Sequence, residues 1–430
     1  MARFLIVLVA LAATPVPAAA ASVQWQGSVP IAEGAGERGP WRQNDSRYDY
    51  VDDPSIALAD DGHALVAWVD QGAKDVFLQR LSPDSGRLGE PLNVSGSPQT
   101  FSWLPRLALA PHDARQAFVL WQEIIFSGGT HGGDILFARS TDGGRTFSTP
   151  LNLSRSVGGD GKGRISAQVW HNGSLDLAVG ADGAVYAAWT DYEGTLWLAV
   201  SGDRGEGFTP PRRIAGEAMR PARAPSLAIA PDRNLYLAWT HGEDASADIH
   251  VARSTNGGAS FEAPVVVAHT DGYSDAPKLV TDMHGMLHLA WAEAEGGPFT
   301  RKHVMYTRSP DGARSWEVAR AVSPGGAAYP SLRVDARSRV VATWERMASP
   351  RERPRGMGIA VSRDGGKSFA APAVVPGSAG LNGGTNGSHQ GLLMEKLAVT
   401  PNGELAVVNS SLVENQESRV WLTRGALASP

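Results

Sequence analysis

One eight-residue phrase, Ser-x-Asp-x-Gly-x-x-aromatic, keeps returning along this chain. Ser140–Phe147, Ser201–Phe208 and Ser362–Phe369 match it fully. Ser254–Phe261 carries Asn256 in place of the Asp, and Ser309–Trp316 carries Ala313 in place of the Gly. Ser82-Pro-Asp84-Ser-Gly86 is a decayed copy without its aromatic. A second phrase precedes each copy, a Pro-x-apolar-Ala run, then a turn, then an alternating run that ends at Trp. The Trp residues are Trp68, Trp121, Trp189, Trp239, Trp291 and Trp344, at spacings of 53, 68, 50, 52 and 53 residues. A seventh unit starts at Leu397 and has Asn409 where the Trp would stand. A fixed period of this length marks a repeat architecture.

Each unit parses into four short strands, here A to D. Strand A is the Pro-x-Leu-Ala run, strand B ends at the Trp, strand C follows, and the Ser-x-Asp phrase turns into strand D. No sustained helical period appears. The fold expected is all-β, a β-propeller of seven four-stranded blades, with six blades as the alternative count. The seventh unit lacks a strand D after Val420–Arg424. Residues 23–32 read as a strand and are expected to fill that place, closing the ring and removing an exposed edge.

The first 21 residues have the pattern of an export signal. Arg3 precedes an apolar run over Phe4–Ala13, and small residues at Ala18–Ala21 offer a cleavage site. The mature chain, residues 22–430, is expected as one propeller domain, secreted or periplasmic. Cysteine is absent, which excludes a disulfide framework, a thiolate metal site, a cysteine nucleophile and a lipoprotein anchor. The net charge of -5 argues against a nucleic-acid partner. The sequence assigns no cofactor.

The repeated phrase resembles the Asp box, or BNR repeat, of the sialidase (neuraminidase) superfamily, and the resemblance spans nearly the whole mature chain. It implies a propeller whose turn residues are structural. The Ser and Asp cap backbone N–H groups and the Gly permits a positive φ. It also implies a substrate pocket over the axis, on the face where A strands start and B strands end. It does not by itself imply sialidase activity, because fold does not give function.

That face collects the candidate residues. After the repeated Trp stand Asp70, Glu123, Asp191, Glu293 and Glu345, with Tyr192 beside Asp191. These are candidates for acid–base or nucleophilic work. Arg106, Arg223, Lys278, His171 and His241 are candidates for substrate binding. Asp52, Asp53, Glu395 and Lys396 stand at A-strand starts, and the longest insertions, including 155–173 and 376–391, map to the same face. A sialidase needs an arginine trio, and the family's Arg-Ile-Pro phrase is missing from the first blade, which reads Tyr50-Val-Asp-Asp-Pro54. Arg223-Ala-Pro225 is the nearest match, in the fourth blade. Trp41, Trp103 and Trp170 are candidate sugar-stacking residues in loops. The function expected is binding of an extracellular ligand, a glycan first, with no membrane anchor. Two alternatives stay open. One is a carbohydrate-active enzyme, a sialidase-type hydrolase or a lyase. The other is a metal site built from His131, His171, His241, His269, His303 and His389.

Overall fold

The computed structural model describes residues 22–124, 133–154, 159–166, 168–267, 270–380, 382–386 and 391–428. Seven four-stranded antiparallel sheets follow one another as the blades of a β-propeller. Blade 1 is built from Val51–Leu58, Ala64–Asp70, Asp75–Leu81 and Leu92–Asn93, and blades 2 to 6 repeat that order. Blade 7 is the composite one. Leu397–Val399, Glu404–Val413 and Glu417–Leu427 supply strands A to C, and Val23–Gly34 pairs antiparallel with the last of these as strand D. The expected closure therefore holds, over a slightly longer segment. The seven-blade count also holds, and the six-blade alternative falls.

The repeated Trp is core in all six blades that carry it, at 3% exposure or less. Each indole fills the space between neighbouring sheets, and losing such a side chain typically costs about 3–5 kcal/mol. Asn409 takes that place in blade 7, fully buried, and donates to Glu345 at 3.0 Å.

The Ser-x-Asp turns show why the phrase is needed. In blade 2, Ser140 Oγ donates to Asp142 at 2.8 Å and accepts from the Gly144 N–H at 2.9 Å. Asp142 accepts from the Arg145 and Thr146 N–H groups at 2.9 and 3.0 Å. Gly144 has φ +77°. In blade 5 the same position is Ala313, held at φ +68°. The aromatic that ends the phrase anchors the turn to the neighbouring blade rather than to its own sheet. Phe208 packs edge-on to Phe137 at 4.8 Å, and Phe369 to Tyr306 at 4.9 Å. Blade 1 lacks that aromatic. There the buried Arg424 of blade 7 donates to the Gly62 and Ser82 carbonyls at 2.9 and 3.1 Å instead.

The start of strand A is irregular by design of its sequence. Proline has no N–H for the ladder, so pairing breaks beside it. The pairing register shifts at Asp52/Ser55, Trp103/Arg106, Arg223/Ser226, Asp275/Lys278 and Ala328/Ser331. The residue before each proline is left-handed: Asp53, Leu104, Ala224, Ala276 and Tyr329 have φ between 52° and 57°. Such a conformation costs a non-glycine residue about 1–3 kcal/mol. In return, this bulge sets one individual side chain per blade at the axis.

Candidate functional site

Just below the bulges, each blade contributes one side chain to an axial ring: Ser55, Arg106, Asp176, Ser226, Lys278, Ser331 and Glu395, all buried. The ring is stitched between blades. Ser55 accepts from the Leu107 N–H, Asp176 from Leu227, Ser226 from Leu279 and Ser331 from Lys396, at 2.7–3.4 Å. Its charges balance, with Arg106 at 3.9 Å from Asp176 and Lys278 at 3.6 Å from Glu395. Arg333 adds a contact to Glu395 at 3.3 Å. Burial lowers the pKa of Arg106 and Lys278, and the neighbouring carboxylates oppose that. A cavity of about 340 Å³ lies against the ring and along the A strands.

The A-start end of the axis is plugged. The short turn Gly391–Leu393 sets Leu393 against Ala224, Ala276 and Tyr329. Its carbonyl accepts from Arg106 Nη2 at 2.6 Å and Lys278 Nζ at 3.3 Å. Glycine is required at the start of the plug, because a Cβ on Gly391 would overlap the Asp53 carboxyl. Asp53 is fully buried, and burial, with Asp52 beside it, pushes its pKa well up. Arg106 and Lys278, both candidate ligand residues, thus belong to the axial ring and the plug.

Beside the plug lies a second cluster. The insertion expected as a loop over 155–173 contains a hairpin, Lys162–Ser166 with Val169–Asn172. It lies close over Arg223, where a Cβ on Gly163 would come 2.9 Å from the Arg223 Cβ. The hairpin brings His171 onto Tyr329. The two rings stack at 5.2 Å and 13°, and His171 Nε2 lies 3.2 Å from the Tyr329 hydroxyl. Beneath them Arg223 Nη1 donates to Asp275 at 2.6 Å, and Arg223 Nη2 donates to the Tyr273 hydroxyl. That hydroxyl donates in turn to Asp275 Oδ2 at 3.1 Å. Lys302 lies over the Tyr273 ring at 5.5 Å.

The electrostatics of this cluster follow from burial. For Asp275 burial raises the pKa, but Arg223, Lys302 and His171 outweigh it and hold the carboxyl below its ordinary range. For Arg223 burial works against the charge, and Asp275 and Tyr273 more than restore it. Burial lowers the pKa of Lys302 and raises that of Tyr329, so the phenol stays protonated. Two cations, Arg223 and Lys302, face one carboxylate here. Lys302 also donates to the Pro298 carbonyl, and with Tyr329 it lines a small hollow of about 60 Å³.

The acids after the repeated Trp have local partners. Glu123 accepts from its own Trp121 indole at 3.3 Å and from Thr100. Burial raises its pKa. Glu293 accepts from Trp291 at 2.8 Å and Ser274 at 2.6 Å. Asp191 accepts from Trp197 and from the Thr195 N–H, both at 2.8 Å. Asp70 caps the Ala73 N–H at 2.9 Å. Glu345 is fully buried with Lys396, Asn409 and Thr385. These five carboxylates stand on five blades, each with its own donors. Tyr192 stacks face to face on Trp170 at 4.1 Å and 17°. Arg106 and Arg223 bind different partners, so they do not form two arms of one clamp.

Of the candidate histidines, His131, His269 and His389 lie outside the described residues. His241 is neutral at ordinary pH because burial lowers its pKa, and its ring lies 4.6 Å from His250. His303 is exposed on blade 5. Among the described residues no three His, Asp or Glu side chains group as metal ligands. Trp103 is not a loop residue. It lies in strand A of blade 2 at 3% exposure, because its indole packs with Phe101 and Trp41. Trp41 is 45% exposed and backed by Tyr48, in the segment leading to blade 1. Phe299, 40% exposed, lies on the same face at blade 5.

Tyr329, Tyr273 and Lys302 were absent from the sequence-derived candidates. Tyr329 had a usable signal. It is the one aromatic among the five left-handed residues before the strand-A prolines, where the other blades place Asp53, Leu104, Ala224 and Ala276.

No family model matches this chain, and no curated protein matches it. Solved structures share its fold. A polysaccharide lyase superposes with a TM-score of 0.57 at 10% identity, covering 94% of this chain and 100% of that one. An ulvan lyase bound to a GlcA(1-4)Rha3S saccharide gives 0.55 at 12%, covering 86% and 94%. A Hadza microbial sialidase gives 0.50 at 14%, covering 83% and 73%. At such identities the likeness is one of fold. The architecture is shared with propellers that act on glycans.

Proposed function

We propose that this is an exported, glycan-cleaving propeller that acts on an acidic polysaccharide by β-elimination at the A-start face. The observation that carries the reading is the His171–Tyr329 pair set over Arg223, Asp275 and Lys302. Elimination next to a uronate carboxylate needs that carboxylate neutralised, the C5 proton removed and the departing O4 protonated. Lys302 supplies the positive charge, and Arg223, paired with Asp275, forms the floor beneath the two rings. His171 takes the C5 proton, its electron pair becomes the C4–C5 double bond, and the C4–O4 bond breaks. Tyr329, kept protonated by burial, gives its proton to O4. The hydrogen bond between the two rings then returns the proton from His171 to Tyr329. No water is consumed. The lyase folds among the solved structures support the reading.

Sialidase chemistry is less well supported, because Arg106 and Arg223 are committed to separate buried partners. A non-catalytic glycan-binding role is the second reading, favoured by the exposed Trp41 and the stacked Trp170–Tyr192 pair, since flat rings suit sugar faces.

The test is incubation with ulvan, polygalacturonate, hyaluronan and heparin, following the ultraviolet absorbance of unsaturated uronate ends. Product from at least one polymer is expected, falling at least about 100-fold in His171→Ala and Tyr329→Phe. Binding without any unsaturated product would leave only the second reading.

A further inference from the structure

A second charged feature lies on the same face, away from the Tyr329 pocket. The loop after strand B of blade 6, which ends at Arg346, holds Arg351, Arg353 and Arg355. With Arg38 it lines a cleft of about 400 Å³ that also contains Glu352 and Glu414. Arg353 is the anchor. Its Nη1 donates to the Leu412 carbonyl at 3.1 Å, and its Nη2 to Glu414 at 3.2 Å. Arg38 reaches the same Glu414 at 3.5 Å. One carboxylate thus answers two guanidinium groups, while Arg351 and Arg355 stand exposed. In a chain with a net charge of -5, this is a local positive excess.

The cleft connects to the pocket through the same blade. Ala327 and Ala328, which precede Tyr329, pair with Arg346 and Glu345. A small hollow lined by Lys302, Tyr329, Met347, Ala348 and Pro350 borders the start of the same loop.

We propose that the Arg351–Arg355 cleft is a second anionic subsite, which holds a further carboxylate or sulfate of the same polysaccharide. The substrate is then a polymer charged at intervals, gripped at two places on one face. The inference rests on the glycan reading above, and goes beyond it by naming the spacing of charge as a binding determinant. Guanidinium groups suit it because they present paired donors to planar or tetrahedral oxyanions and stay charged at every working pH.

The test uses the full chain and the double variant Arg351→Gln/Arg355→Gln. Both side chains are exposed, so the fold should survive, and an unchanged melting temperature checks this. Heparin, hyaluronan and a DNA duplex serve as probes at two salt concentrations. The expected result is about 10-fold weaker binding of the acidic polysaccharides at low salt, since two exposed pairs are each worth up to ~1 kcal/mol. The salt dependence should also become shallower. Equal affinity of wild type and double variant would overturn the subsite. So would wild-type binding of duplex DNA as tightly as heparin, which would mark a general polyanion patch. Failure to bind either polysaccharide would sink the subsite and the glycan reading together. Arginine-dependent binding without unsaturated product would sink the elimination chemistry alone.

Discussion

The two faces of this propeller are built on opposite plans. On the turn face, five blades make nearly the same object. Ser140, Ser201, Ser254, Ser309 and Ser362 each donate to the Asp or Asn two residues on, and each accepts from the N–H four residues on. On the A-start face, the left-handed position before the proline takes four residue types in five blades: Asp53, Leu104, Ala224, Ala276 and Tyr329. Repetition follows where every blade must solve one problem, the closing of a tight turn against its neighbour. Individuality follows where seven blades meet a single axis. The recurring residues are therefore read as scaffold and the exceptions as chemistry.

The strongest way to break this division is at the seam. Removing 23–34 takes strand D from blade 7 and exposes a long edge. Cooperative unfolding should be lost, with aggregation in its place. A deleted chain that melts like the wild type would show that closure is not where stability lies.

The next effect in size concerns a non-repeated buried pair. Glu345 and Lys396 are 0% and 2% exposed and bonded to each other. Glu345→Ala leaves an ammonium buried without its partner and should cost about 3–5 kcal/mol in denaturant unfolding. A loss below about 1 kcal/mol would mean that water reaches the site.

Smaller effects belong to the turns. Asp364→Ala should lower stability by ~1 kcal/mol, the usual worth of such a cap. Burial alone would raise the pKa of Asp364, but Ser368, Ser362 and the turn N–H groups hold it down at about 2. Asp142 is likewise held at about 2 against burial, by Thr146, Ser140 and the turn backbone. Both pKa values are depressed on folding. Their stabilisation is therefore present above about pH 4 and is lost as the pH falls toward 2. The stability gap between wild type and Asp364→Ala should close over that window. A gap that stays constant with pH would show that the carboxylate charge is not what the turn uses. The smallest effect has the opposite sign. Ala313→Gly should raise stability by up to about 1 kcal/mol, because only blade 5 places a Cβ at this left-handed position.

Much of this scaffold was legible in the sequence because repetition amplifies weak signals. One Ser-x-Asp-x-Gly phrase is a turn, whereas five at blade spacing fix the fold and the register. The missing strand D was legible for the same reason, as a gap in a count. The face was also legible, since strand order separates A starts from the turns. The grouping of side chains was not. Arg106 and Lys278 read as surface cations, yet the axis draws them into a buried ring under Leu393, a contact spanning 287 residues for Arg106. Glu123 and Glu293 read as free acids, yet each returns to the indole of its own strand. His171 reads as a residue of the A-start face, but its partner Tyr329 comes from the sixth blade, and no local pattern encodes that meeting. What the sequence did hold was the exception at the pre-proline position, and that exception is what points to Tyr329.

The most direct measurement compares one residue from each face in the same assay. Tyr329→Phe and Asp142→Ala would each be followed for melting temperature and for unsaturated product per folded molecule, on whichever acidic polysaccharide the wild type cleaves. The account predicts a crossed result. Tyr329→Phe keeps its melting temperature and loses product by at least about 100-fold, and Asp142→Ala melts earlier while keeping its product. Loss of product in Asp142→Ala at an unchanged melting temperature, with Tyr329→Phe fully active, would contradict the division between the two faces.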